Sequence, residues 1–406
     1  MIFQTLDDKS ECVGIYTDSQ LLFGTEKLPE NLTKTWKYVP YLRGMDIEYA
    51  SLYLEGGSIS DNVPEYLQDD WDDVVKKIVA FRRSLALSQV DVRENCFFDL
   101  VPKRFLIDFC EVRNKITEHI FKNISKPKRY EFHKHVSMML EDMAQHPVKI
   151  NKRAIKSYEK DPKLKNQAAK ILTSEARVIY KQFGTRTGRL TTEKNSFPIL
   201  TLSRAFRPAI EPQNDYYIEL DFNGAEVRTL LGLLGKAQPS EDVHNFHLRE
   251  VFTNMESREK AKVAFFAWLY GSRQAVVKED LVKLASFYEK DSLLEKYWDG
   301  NTVTTPFGKE IPDASRHHAL NYLVQSTAAE LTLNQALKLE YLLRERSNGS
   351  HIAFLIHDAV VIDMKNEDSE LINTLTALMG STKLGNFKVN IKRGKTLGSM
   401  KDIQLG

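Results

Sequence analysis

Two aspartates in the second half of this sequence each stand at the end of a β-rich run. Residues 216–220 (YYIEL) lead into Asp221, and in residues 351–363 (HIAFLIHDAVVID) Asp358 sits where two such runs join. Carboxylate oxygens suit hard divalent cations, and magnesium usually takes one or two of them, completing its shell with water and phosphate. Two such ions about 3.5–4 Å apart stabilise the attacking and leaving oxygens of an in-line displacement at phosphorus. Asp221 and Asp358 fit that chemistry if their strands are neighbours. Alone, each would read as a turn former or a helix cap.

A second constellation lies between them. Arg258, Lys262, Phe266 and Tyr270 recur every four residues within a helical pattern over 257–271. On a helix they form a slanting stripe about 18 Å long. The two cations stand toward the helix N-terminus, where the backbone dipole also favours anions. A triphosphate could lie along that end while its base meets Phe266 and Tyr270. A buried apolar stripe with snorkelling ends has the same spacing.

The elements that must position these groups are strands from distant parts of the chain. A helical pattern follows Asp221, with Val227, Leu230, Leu231 and Leu234 on one side, and another spans 317–343. Residues 351–363 read as a hairpin turning through His357-Asp358-Ala359, without the usual Asn-Gly signal. One sheet with an inserted helical module makes the expected fold class α+β. Ahead of it, residues 105–182 are helical in pattern and basic in places, as in KPKRYEFHKH and VKINKRAIKSYEK. Such helices suit either a solvated face or a phosphate backbone. The first 110 residues mix short strand-like runs with a helical segment at 69–86.

Composition narrows the partners less than the motifs do. The 406 residues are 42% hydrophobic and 28% charged, with a net charge of only +2, so clustering of charge matters more than its sum. Cys12, Cys96 and Cys110 show no metal-ligand spacing and read as reduced thiols. No apolar run approaches the roughly 20 residues of a membrane span. A cytoplasmic protein without a membrane partner is expected.

Six segments in order resemble the polymerase module of family A, the group of bacterial DNA polymerase I and many phage replicative enzymes. Thr187-Gly188-Arg189-Leu190-Thr191-Thr192 resembles TGRLSS, and Asp221-Phe222-Asn223-Gly224-Ala225-Glu226-Val227-Arg228 resembles DYSQIELR. Asp242-Val243-His244 with Val251-Phe252 is similar to DIH...VF. The Arg258 to Gly271 stripe looks like the finger-helix motif, Asn321-x-x-x-Gln325 matches the pair that follows the fingers, and His357-Asp358 matches the last motif.

The resemblance implies a right-hand polymerase fold, a palm sheet with helical fingers and thumb. Its parts would be an N-terminal region at 1–110, a thumb at 111–185, a palm at 186–232 and 305–406, and fingers at 233–304. It implies template-directed addition of deoxynucleoside triphosphates to a primer 3′ end, in a compact phage-type member without a complete proofreading domain. Two Mg2+ ions, with Mn2+ able to substitute, would be held by Asp221, Asp358 and the backbone carbonyl of Phe222. Catalysis would fall to Asp221, Asp358 and Lys262. Nucleotide binding would involve Arg258, Lys262, Phe266, Tyr270, Glu226 as a gate against the 2′ hydroxyl, and His244. Arg189, Asn321, Gln325, His357 and Arg228 would touch primer–template DNA. A monomer is expected, working with processivity or replisome proteins, in the host cytoplasm if phage-encoded.

Two departures bear on function. Ala359 replaces the Glu that usually follows His-Asp, which should weaken metal binding without abolishing activity. In the N-terminal region Met45-Asp46-Ile47-Glu48 and Asn95-Cys96-Phe97-Phe98-Asp99 faintly resemble proofreading motifs, but no third motif follows. That region is expected to be a degenerate remnant. The competing functions are a single-subunit RNA polymerase-like enzyme, disfavoured by Glu226, and a non-catalytic primer–template-binding factor, favoured by Ala359.

Overall fold

The computed structural model describes residues 2–5, 14–17, 19–23, 31–90, 100–174, 176–252, 255–271 and 278–404. The chain divides into two compact units, Met1–Gln145 and His146–Gly406. Among the described residues no helix is long and apolar enough to cross a membrane.

The first unit has a five-stranded sheet of β1 (Ile2–Thr5), β2 (Gly14–Thr17), β3 (Gln20–Phe23), β4 (Lys34–Thr35) and β5 (Glu48–Tyr49), in the order β3-β2-β1-β4-β5. The β1–β2–β3 meander is antiparallel, whereas β1–β4 and β4–β5 are parallel. Its long helices among the described residues are α1 (Gln68–Leu87), α2 (Lys103–Asn123) and α3 (Tyr130–Ala144). Asp69 and Asp70 in the first turn of α1 complement its dipole. The carboxylates of the faint proofreading motif are matched by lysines: Lys134 lies 3.2 Å from Asp46, and Lys126 2.8 Å from Glu48. The second such segment, residues 95–99, lies outside the described residues.

The second unit is built on an antiparallel sheet whose central strand is β6 (Tyr216–Phe222). The hairpin of β7 (His351–Ile356) and β8 (Ala359–Met364) packs on one side, and β9 (Val389–Gly394) followed by β10 (Lys401–Asp402) on the other, giving the order β7-β8-β6-β9-β10. The expected neighbourhood of the two aspartates is therefore real: Asp221 pairs in register with Ala359, the residue after Asp358. Ile218, Leu220, Val360 and Ile362 are fully buried on one face of this pair, and Tyr217 and Val361 are buried on the other, so both faces of the sheet centre are covered.

Helices follow the sheet in chain order: α4 (Ala225–Leu233), α5 (Val243–Glu250), α6 (Arg258–Tyr270), α7 (Arg316–Arg346) and α8 (Leu371–Gly380). α7 contains neither Pro nor Gly and runs about 45 Å at 1.5 Å per residue. Its first third packs into one apolar cluster with α4, α5, α6 and the helices Lys278–Phe287 and Lys290–Tyr297, around Leu230, Phe265, Tyr288 and Leu323. That cluster fixes α6 relative to the sheet.

Candidate active site

Asp358 reaches the site because of the turn that carries it. His357 and Asp358 form a two-residue connection, and His357 has φ 54°, a left-handed conformation that Gly usually supplies. Holding a β-carbon-bearing residue there costs about 1–2 kcal/mol, and such strain is typical of functional turns. Asp221 arrives from the neighbouring strand. Immediately after it Gly224 turns the chain at φ 66°, where an added Cβ would lie 2.3 Å from Val243 Cγ2, so only glycine lets α4 start there.

A cleft of about 410 Å³ opens at this point. Asp221, Phe222, Glu226 and Asp358 line its floor; Arg189, His244, Arg258, Lys262, Phe266, Tyr270 and His357 also line it. Sequence segments from residue 189 to residue 358 thus converge on one space. α6 presents its cleft face because Ala261, Ala264, Phe265, Trp268 and Leu269 are buried on the other faces. Ser257 caps its N-terminus by accepting from the Lys260 amide at 3.3 Å. At its C-terminus Gly271 has φ 73° and lies under the His317 ring, where a Cβ would stand 2.4 Å from Cε1. Phe266 and Tyr270 stack, with centroids 5.8 Å apart and planes 10° from parallel.

The electrostatics of the floor suit a cation. Burial, then the charge of Glu219, pushes Asp221 up to about 6. Burial, then Glu226, likewise raises Asp358 well above the ordinary carboxylate range, and Asp221 adds to the effect. Among the described residues neither carboxylate has a salt-bridge partner, although Arg189 and Lys262 lie in the same cleft. Two crowded acids whose charged forms are disfavoured fit divalent cations, which would restore both charges.

The wall is organised by a residue the sequence reading left outside the site. Asp242 accepts Arg258 Nε at 2.9 Å and Nη2 at 2.8 Å, a bidentate pair. It also caps α5 through the amides of His244 and Asn245, and accepts from Asn223 Nδ2 at 3.1 Å. Burial alone would raise its pKa, but these hydrogen bonds outweigh burial and hold it far below the usual range. Its signal was present, an acid placed as N-cap before Val243-His244. Burial pushes His244 down to about 4, so its ring is neutral near pH 7 and meets any phosphate as a dipole, not a charge. Behind it His247, also unforeseen, shares a 2.5 Å hydrogen bond with Tyr288. Asn390, opposite Asp221 on β9, hydrogen-bonds that carboxylate; no local signal marks it.

The remaining expected residues divide. Arg189 Nη2 donates to Glu226 Oε1 at 2.8 Å, joining the segment 187–192 to α4. Gln325 reaches the Tyr270 hydroxyl. Asn321, one turn earlier on α7, holds a buried Oδ1 with no partner among the described residues. Arg228 is a correction. It is fully buried, and its guanidinium donates to the carbonyls of Asn223 at 2.7 Å, Pro239 at 2.9 Å and Glu241 at 3.0 Å. It brackets the loop before Asp242 and cannot touch DNA.

Solved structures with this architecture include the POL domain of Pol1 from M. smegmatis, in complex with DNA primer-template and dNTP. The TM-score is 0.59 at 13% identity, over 73% of this chain and 76% of that one. The chain therefore has the fold of that POL domain. Among curated proteins, DNA polymerase I of Caldicellulosiruptor bescii is 22% identical over 254 residues, 52% of this chain and 30% of that protein. The chain thus spans less than a third of that relative's length. No family model matches. The α+β class expected of this polymerase fold is the class observed.

Proposed function

We propose that the chain is a template-directed DNA polymerase that adds deoxynucleotides to a primer 3′ end. The observation that carries this reading is the convergence of Asp221, Asp358, Arg258, Lys262, Phe266 and Tyr270 on one cleft of a family A polymerase fold. The Caldicellulosiruptor bescii relative is a DNA polymerase I by name, and the POL domain of Pol1 was solved with DNA primer-template and dNTP. In this reading 186–232 and 305–406 act as palm and 233–304 as fingers.

Asp221, Asp358 and the Phe222 carbonyl would hold two divalent ions, which when bound stabilise the attacking and departing oxygens. Lys262, one turn along α6 from Arg258 and lining the cleft, would bind the triphosphate and give a proton to the departing pyrophosphate. Arg258 is committed to Asp242 here, so its role is to fix the helix N-terminus against α5 and to share its remaining donors with phosphate. Phe266 and Tyr270 offer a stacked surface to the base. Glu226, 7% exposed and held by Arg189, closes the sugar side of the cleft against a 2′ hydroxyl. His357 and Gln325 face the primer end.

One observation favours a second reading. Ala359 faces Asp221 across the strand pair where the family motif has a carboxylate, and a non-catalytic primer–template-binding factor would tolerate that loss. Primer extension by the purified chain separates the readings. Extension should require template, deoxynucleoside triphosphates and Mg2+ or Mn2+. Preference for ribonucleotides would transfer the chain to the RNA polymerase-like class. Tight DNA binding with no extension under either metal would support the binding factor.

A further inference from the structure

Because β6 is the central strand, each of its residues has a partner on either side. Directly opposed residues of an antiparallel pair project from the same face. Asp221 is flanked by Ala359 on β8 and Asn390 on β9. Side chains alternate along a strand, so Glu219 shares that face and is flanked by Val361 and Lys392. Its side chain is 12% exposed and ion-paired to Lys392, which faces Asp402 on its other side. The row Glu219–Lys392–Asp402 thus lies beside the row Ala359–Asp221–Asn390.

The packing of the sheet asks for no acid here. Val361 opposite is apolar and fully buried, and burying a lysine–glutamate pair on a strand usually gains little over an apolar pair. Position 359, adjacent to Asp221, contributes only a methyl group. Residues two apart on a strand are about 6.6 Å apart at the backbone. With the Glu219 carboxylate engaged by Lys392, that placement suits contact with a cation on Asp221 through a bound water.

We propose that Glu219 is the outer-shell carboxylate of the cation site, supplying the negative charge that position 359 lacks, with Lys392 partly neutralising it. This inference rests on the assignment of Asp221 as a cation ligand. Glu219 is a positioning residue; it touches neither substrate nor the reacting atoms.

The test is Mn2+ titration of the full chain without DNA or nucleotide, followed by electron paramagnetic resonance, with circular dichroism to confirm folding. Glu219→Gln should weaken Mn2+ binding about tenfold, the low end for loss of an outer-shell partner. Adding Ala359→Glu in that background should restore most of the affinity, and Lys392→Met alone should tighten binding. If Glu219→Gln does not fold, Lys392→Met and Ala359→Glu as single changes carry the test, and each must tighten binding. Unchanged affinity in Glu219→Gln, or a loss that Ala359→Glu does not repair, would overturn the inference if Asp221→Asn still abolishes binding. Wild-type Mn2+ binding by Asp221→Asn would instead remove the cation site itself, and this inference with it.

Discussion

Asp221 and Asp358 each stand at the end of a strand, and burial with neighbouring acids sets the energetic condition of their carboxyls. With Asp221 lifted from near 3.8 to about 6 by burial and Glu219, the metal-free fold binds more protons than the unfolded chain between those values. Stability is therefore full below about pH 4, falls as pH rises through about 6, and stays reduced above. Asp221→Asn removes that loss. Without metal at pH 8 the variant should melt about 2–4 °C above the unaltered chain, as for roughly 1 kcal/mol in a unit of this size. The gap should close at pH 4, and Mg2+ should raise only the unaltered chain. Equal melting at pH 8 would mean that the carboxylate is not strained in the empty site. Asp242 and Asn390 were harder to read. An N-cap aspartate looks alike whether or not it also holds an arginine, and Asn390 meets Asp221 only through strand pairing across the length of the unit.

At the level of elements, the four-residue repeat on α6 was readable because helical geometry alone places Arg258, Lys262, Phe266 and Tyr270 on one face. The same logic failed for Arg228, since spacing cannot distinguish an arginine aimed at a phosphate from one aimed at buried carbonyls. Arg228→Met leaves three backbone acceptors without their donor. It should cost about 3 kcal/mol in denaturant unfolding, and through the displaced loop before Asp242 it should raise KM for the incoming nucleotide. A variant of normal stability with weakened DNA affinity would return Arg228 to a DNA contact. The hairpin turn shows the converse case. It lacked an Asn-Gly signal because His357 itself takes the left-handed position, a placement that favours geometry at Asp358 over turn stability.

Across the whole molecule, the α+β class followed from strands separated by helical patterns, and the sheet order could not, because five strands admit many pairings and local sequence chooses none. The two compact units give the fold a testable asymmetry. All residues of the cleft belong to His146–Gly406, so Mg2+ should slow amide exchange in β6 and in the tip of the β7–β8 hairpin. It should leave the helix Gln68–Leu87 unchanged. Protection spread evenly over both units would place a cation elsewhere. In the first unit Asp46 and Glu48 already have lysine partners, a setting unlike that of Asp221 and Asp358. Addition of Mg2+ is accordingly expected to release no nucleotides from a single-stranded 3′ end.

The central claim is that two carboxylates, one on β6 and one on the hairpin tip, together run nucleotide addition. Single-turnover primer extension by Asp358→Asn, with primer–template affinity measured on the same preparation, tests it most directly. The account predicts a rate at least about a thousandfold lower, the scale on which removing electrostatic stabilisation of a transition state is felt, with DNA affinity within about threefold. Extension at the unaltered rate would contradict it.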